Sequence, residues 1–153
     1  MSYYAKVLQP GEQVRFIGKL HWIIYKNAII YLIVAGLIAL SSARYPMQDP
    51  TVIYWAAGLL AVLGVIAAMR AWFVRVTTEI VVTDKRIIHK VGWISRRTEE
   101  INITKVETVD VSQGVAARIF GYGSVLIKGI GGSWEPLRRV ADPLSLRNAI
   151  IVG

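Results

Sequence analysis

Two histidines, one pair of adjacent glutamates and two glycine-rich stretches are the places where this sequence could hold chemistry. His21 and His89 are the only histidines, and no cysteine is present. A metal site needs several nitrogen, sulfur or carboxylate ligands brought together at short, regular spacing. The histidines stand far apart in the chain with no carboxylate at ligand spacing, so packed or surface histidines are expected, and no metal ligand. Glu99 and Glu100 are neighbours in a segment of strand character. Alternation sends adjacent side chains to opposite faces, so the two cannot share a proton as an acid/base pair. Gly121 and Gly123, then Gly129, Gly131 and Gly132, sit between apparent strands and lead into no helix. Lys128 precedes its glycines, the reverse of a phosphate-cradling loop, so these glycines are read as turn formers. The expectation is a non-enzymatic chain with no catalytic residue, cofactor or metal.

What remains is positive charge. The 153 residues carry a net charge of +8, unevenly spread. Residues 1–26 hold +3, the connector around Arg44 and Asp49 is neutral, and residues 75–153 hold twelve basic against eight acidic side chains. Anionic lipid attracts basic residues close to a membrane by ~1 kcal/mol each. Arg70, Arg75, Lys85, Arg86, Arg96 and Arg97 are therefore candidate headgroup contacts. Ordinary retention of basic residues on the cytoplasmic side explains the same excess. The excess is too modest, and too free of reading motifs, for a nucleic-acid partner to be expected.

The elements that would carry these residues begin with two uncharged runs, Ala28–Ala43 and Val52–Met69. At ~1.5 Å per helical residue each approaches the ~30 Å of a hydrocarbon core. A transmembrane hairpin is predicted over residues 23–74, with spans at about 27–43 and 52–70. Basic flanks and a neutral connector place both termini in the cytoplasm. Trp22, Tyr25, Tyr45, Tyr54, Trp55, Trp72 and Phe73 flank the runs, as rings at the headgroup level do. Ala35 and Ala39 in the first run, and Ala57, Ala61, Gly64 and Ala68 in the second, recur at helical spacing and form a candidate packing seam. No ionisable residue lies deep in either run, which argues against an ion path.

Residues 1–22 read as a separate strand-like segment. Over Glu12–Trp22, Val14, Phe16, Leu20 and Trp22 alternate with Gln13, Arg15, Lys19 and His21, and whether this segment joins a later sheet is left open. Residues 75–153 read as a string of strands: Val76–Thr83 and Arg86–Val91 around a tight turn at Asp84-Lys85, then Trp93–Ile103, Val106–Val111, Ser124–Ile130 and Trp134–Val140, the last an edge or bulged strand because of Pro136. A helical turn is expected around Ala116–Phe120. Asp142 as N-cap and Pro143 as first helical residue open a closing helix with an apolar stripe of Leu144, Leu146, Ala149 and Ile150. The fold class expected is an α+β membrane protein, a two-helix transmembrane hairpin followed by an antiparallel β-barrel or sandwich capped by a C-terminal helix.

Several segments make this order of elements recognisable: TEIVVTDKRII over Thr78–Ile88, GWISRR over Gly92–Arg97, VDVSQG over Val109–Gly114 and RIFGYGSV over Arg118–Val125. With Pro10-Gly11-Glu12, His21-Trp22 before paired spans, and Asp142-Pro143, the chain resembles the bacterial pleckstrin-homology-like, membrane-flanked family. The resemblance implies two roughly orthogonal antiparallel sheets with a capping helix. PH domains that hold phosphoinositides use a basic cradle between their first two strands; Lys85 and Arg86 would take that place, on a turn too short for a deep cradle. Two functions follow as expectations. The first is a bacterial inner-membrane protein presenting a PH-like module to a membrane-protein partner, to anionic lipid, or to both, with the regions of Trp93 and Trp134 as docking surfaces. The second is a structural subunit of a homo-oligomeric membrane assembly or pore.

Overall fold

The computed structural model of the chain describes residues 8–45, 49–92, 97–130, 132–133 and 136–151. Trp93, Arg96 and Trp134, singled out above, lie outside the described residues. In chain order the elements are strand β1 (Val14–Gly18), a 3₁₀ turn (Trp22–Tyr25), helices α1 (Lys26–Arg44) and α2 (Thr51–Thr77), and strands β2 (Glu79–Thr83), β3 (Arg86–Val91) and β4 (Arg97–Asn102). There follow a 3₁₀ turn (Ile103–Lys105), β5 (Val106–Ser112), the short helix α3 (Val115–Phe120), β6 (Tyr122–Gly129), β7 (Gly132–Ser133), β8 (Leu137–Ala141) and helix α4 (Pro143–Ile151). The chain is thus α+β, with two long apolar helices, antiparallel sheets and a C-terminal helix. It divides into two compact units, one of residues 22–73 and one of residues 1–21 with 74–153.

In the helical unit, both helices are long and apolar enough to cross a membrane by length and composition. Only 11% of the most apolar window of either is buried, so neither is the core helix of a globular fold. Asp49 accepts a hydrogen bond from Thr51 N–H at 3.1 Å ahead of α2, and Pro50 supplies the first carbonyl to Ile53 and Tyr54. The strand expected over Val76–Thr83 begins later than the sequence pattern indicates. No glycine or proline interrupts residues 65–91, so α2 continues through Thr77, and Thr78 N–H closes its last turn on the Val74 carbonyl at 3.1 Å. The buried positions repeat every seven residues: Ala28, Ala35 and Ser42 on α1, and Ala57, Gly64 and Ala71 on α2. Such a repeat is the seam of two helices packed through small residues. A Cβ on Gly64 would stand 2.8 Å from Leu32 Cγ, so the approach there depends on glycine.

In the other unit, one sheet has the order β1-β2-β3-β4 and the second pairs β6 with β5 on one side and with β7 and β8 on the other. Both are antiparallel. The open question about residues 12–22 is answered by β1, which pairs with β2 from Val14 opposite Thr83 to Gly18 opposite Ile80. The two helices are therefore inserted into the connection between neighbouring strands of one sheet. Ile80, Val82 and Ile87 from the first sheet meet Val109, Val125, Ile127, Leu137 and Val140 from the second, with Leu146 and Ile150 of α4. Burying such side chains supplies ~25 cal/mol per Å² of apolar area.

Besides a shift between Val14 and Phe16 in β1, two register shifts fit strands to this core. A bulge between Val106 and Thr108 in β5 lets Val106 pack on the core together with Val109 and Val111. A second lies opposite Gly123–Val125, where β8 carries one extra residue, so Leu137 and Val140 both point inward with Arg138 and Arg139 exposed between them. Arg139 has φ of 60° at this bulge. In α4, Asp142 accepts a hydrogen bond from Ser145 N–H at 3.2 Å, and Pro143 follows it as expected. The apolar stripe needs one correction. Leu146 and Ile150 are buried, but Leu144 is half-exposed and Pro143 takes the inward place.

Candidate functional site

Because β1 enters the helices and β2 leaves them, one end of the β unit is fixed by connectivity as the tether end. Antiparallel pairing then sorts every residue by its distance from it. Glu79, just after α2, lies opposite Lys90, and Val91 lies opposite Arg97, so these belong to the tether end. The Thr83–Arg86 turn belongs to the opposite end; β1 alone advances about 13 Å between Gly18 and Val14 at ~3.3 Å per residue. The second sheet follows the same polarity. Leu20 bridges Val140, His21 N–H donates to the Arg139 carbonyl at 2.8 Å, and Ala141 N–H donates to the Lys19 carbonyl at 2.9 Å. Tyr122 pairs with Ala141 beside them. At the far end Ile103 N–H donates to the Lys85 carbonyl, and Ile130 N–H to the Lys105 carbonyl, both at 3.0 Å.

His21 marks the tether end. Its ring stacks on Tyr122 with centroids 5.3 Å apart, and it is hydrogen-bonded to the Phe120 backbone. Burial pushes its pKa below the ordinary histidine value, and the Arg75 charge pushes the same way. The imidazole is a packing group here. His89 lies elsewhere, in β3 opposite Glu99. Among the described residues, no group of three or more His, Asp or Glu side chains is placed to hold a metal ion.

The far end holds a different constellation. The side chain of Glu12, with no exposed surface, accepts from Thr83 Oγ1 at 2.7 Å and from Arg86 Nε and an Arg86 terminal nitrogen, each at 3.0 Å. Arg86 reaches Glu100 at 2.7 Å with its other terminal nitrogen. These contacts hold the Glu12 carboxyl at a pKa of about 2, with the Arg86 hydrogen bond the largest cause, and raise that of Arg86. Glu99 instead pairs with Arg97 at 2.8 Å, so the adjacent glutamates serve different arginines.

The candidate headgroup residues are therefore separated. Arg75 and Arg97 lie towards the tether end, Lys85 and Arg86 lie at the far end, and Arg86 is matched by two carboxylates. Arg70 belongs to the helical unit, and Arg96 lies outside the described residues. Two exposed arginines that sequence reasoning passed over, Arg138 and Arg139, stand towards the tether end through the pairing of β8 with β6, and the β8 bulge turns both outward. Their adjacency after Pro136 was the available signal. Among the six candidate seam residues, Ala35, Ala57 and Gly64 are buried, while Ala39, Ala61 and Ala68 are partly so.

The glycines are also placed. Gly121 closes α3 in the left-handed region at φ 72°, a turn role as expected. Gly123 and Gly129 lie inside β6 rather than between strands. A Cβ on Gly123 would stand 2.8 Å from Gln113 Cγ, and one on Gly129 would stand 2.6 Å from the Lys105 carbonyl oxygen. They permit close approach. Between β5 and α4 run open grooves of about 400 and about 540 Å³, both lined in part by Val109 and Arg147, the second also by Arg118.

The strand order, with its inserted hairpin and closing helix, agrees with a match of residues 15–151 to the model of the bacterial PH domain family. The chain belongs to the bacterial PH domain family. The match spans β1, both long helices and nearly all that follows. No curated protein and no solved structure matches the chain. A PH-type domain is a protein or lipid interaction module in general terms, which agrees with a site made of surface charge and grooves.

Proposed function

We propose that this chain is a non-enzymatic, membrane-anchored interaction module of the bacterial inner membrane, held by its hairpin with both termini in the cytoplasm. One observation carries the reading: two helices with outward apolar faces are inserted between β1 and β2, so the PH-type unit is tethered at both strands of one sheet end. A soluble fold gains nothing from exposing Leu37, Leu40, Leu59 and Val62 to water, whereas lipid accepts them. Arg75, Arg118, Arg138 and Arg139 near that tether support contact with anionic headgroups, each contributing ~1 kcal/mol when close to the surface. Protein contact is supported separately by the groove beside β5 and α4, whose apolar floor at Val109 is flanked by Arg147. The assembly reading has less support, because Gly64 already packs on Leu32 within the hairpin. Extraction of membranes with alkaline carbonate tests the anchor. The full chain is expected in the pellet and released only by detergent; release without detergent contradicts it.

A further inference from the structure

Helix α3 spends almost all of its surface on solvent. Of its six residues only Ala117 is buried, while Val115 is 82% exposed, Ile119 74% and Phe120 51%. Val115 and Ile119 are four apart and share one face of the helix. Three large apolar side chains exposed within six residues are the composition of a contact surface.

The position of α3 says which surface. Phe120 is hydrogen-bonded through its backbone to His21, and His21 stacks on Tyr122 directly after α3. The residue after His21 is Trp22, where the first apolar helical segment begins. The apolar patch therefore stands beside the point at which the chain enters the hairpin. Its surroundings carry the charge that an anionic bilayer surface attracts: Arg118 on the helix, with Arg138 and Arg139 exposed at the bulge whose carbonyl holds His21. Apolar side chains ringed by arginines, at the tethered end of a domain, match the boundary between headgroups and acyl chains.

We infer that α3 is a third membrane contact, with Val115, Ile119 and Phe120 inserted at the headgroup level and Arg118, Arg138 and Arg139 on anionic lipid. This rests on the reading of the hairpin as membrane-spanning.

The chain contains no cysteine, so single introduced cysteines can carry an environment-sensitive fluorophore without further change. Three variants of the full chain, Ile119→Cys, Lys85→Cys and Leu63→Cys, are labelled and reconstituted in vesicles containing phosphatidylglycerol. Quenching by nitroxide lipids labelled near the headgroup or deep in the acyl chain is compared with quenching by aqueous iodide. The Ile119 label is expected to be quenched several-fold more by the shallow nitroxide than the Lys85 label, and the Leu63 label most by the deep one. An Ile119 label that follows Lys85 into water, with Leu63 still deep, overturns the third contact and leaves the anchor standing. An Ile119 label shielded from iodide and nitroxides alike also overturns it, and points to a protein cover. A Leu63 label reached by iodide removes the anchor itself.

Discussion

The Glu12 carboxylate and the Arg86 guanidinium meet at 3.0 Å although 74 residues, including both apolar helices, separate them in the chain. The pair sits at the end of the sheet opposite the tether, where Asp84 and Gln13 add reciprocal backbone and side-chain bonds of 3.0 and 2.9 Å. It fixes β1 on β2 at the end that the hairpin does not hold. Replacing Glu12 by Gln removes one of the two carboxylates paired with Arg86 and is expected to cost about 2–4 kcal/mol, the scale for breaking a shielded ion pair. Denaturant unfolding of the detergent-solubilised chain measures this.

The same pair sets an acid limit. The Glu12 pKa falls from 4.5 to about 2 on folding, so its contribution is complete above pH 4.5 and disappears as pH drops towards 2. Unfolding midpoints of the native chain should fall over that window. In Glu12→Gln the slope over the same window should be shallower, and an identical slope would show that other carboxylates control acid stability.

Removing the hairpin should leave a foldable domain only if β1 is kept. A chain in which residues 22–73 are replaced by a short glycine-serine linker retains the pairing of Gly18 with Ile80 and the Glu12–Arg86 bond. A fragment of residues 75–153 loses both and exposes the edge of β2. Two-dimensional amide spectra are expected to be dispersed for the linked chain and collapsed for the fragment.

Gly64 should tolerate no large side chain. Its missing Cβ would lie 2.8 Å from Leu32 Cγ and Cδ2, so Gly64→Leu forces the helices apart, at a cost of about 1–3 kcal/mol typical of overpacking. Adding Leu32→Ala should restore much of the loss in detergent unfolding. Additive effects of the two substitutions would mean that these residues do not meet.

On α4, Leu146 and Leu144 separate core from surface. Leu146 is fully buried, and its replacement by Ala should cost about 2–5 kcal/mol, against less than about 1 kcal/mol at half-exposed Leu144.

Most of this architecture was legible because its signals are strong and local. Uncharged runs marked α1 and α2, the two-residue turn at Asp84-Lys85 marked the β2–β3 hairpin, and Asp142-Pro143 marked the start of α4. Boundaries were less legible where β-branched residues continue a helix, as Val74, Val76 and Thr77 do at the end of α2. The inward place of Pro143, rather than Leu144, depends on how α4 is rotated against the sheets. The placement of the basic residues could not be read locally at all. Lys85 and Arg97 look alike in sequence, and it is the antiparallel register of β2, β3 and β4 that puts them at opposite ends of one sheet. The outward turn of both Arg138 and Arg139 likewise needs the β8 bulge, which strict alternation hides.

On the proposed reading, the hairpin crosses the bilayer and holds the PH-type unit on the cytoplasmic side. Single cysteines at Asp49, in the connector, and at Lys85, in the β unit, test it with a membrane-impermeant maleimide applied to intact spheroplasts. Asp49→Cys is expected to be labelled from outside, and Lys85→Cys only after lysis. Labelling of Lys85→Cys in intact spheroplasts would contradict it.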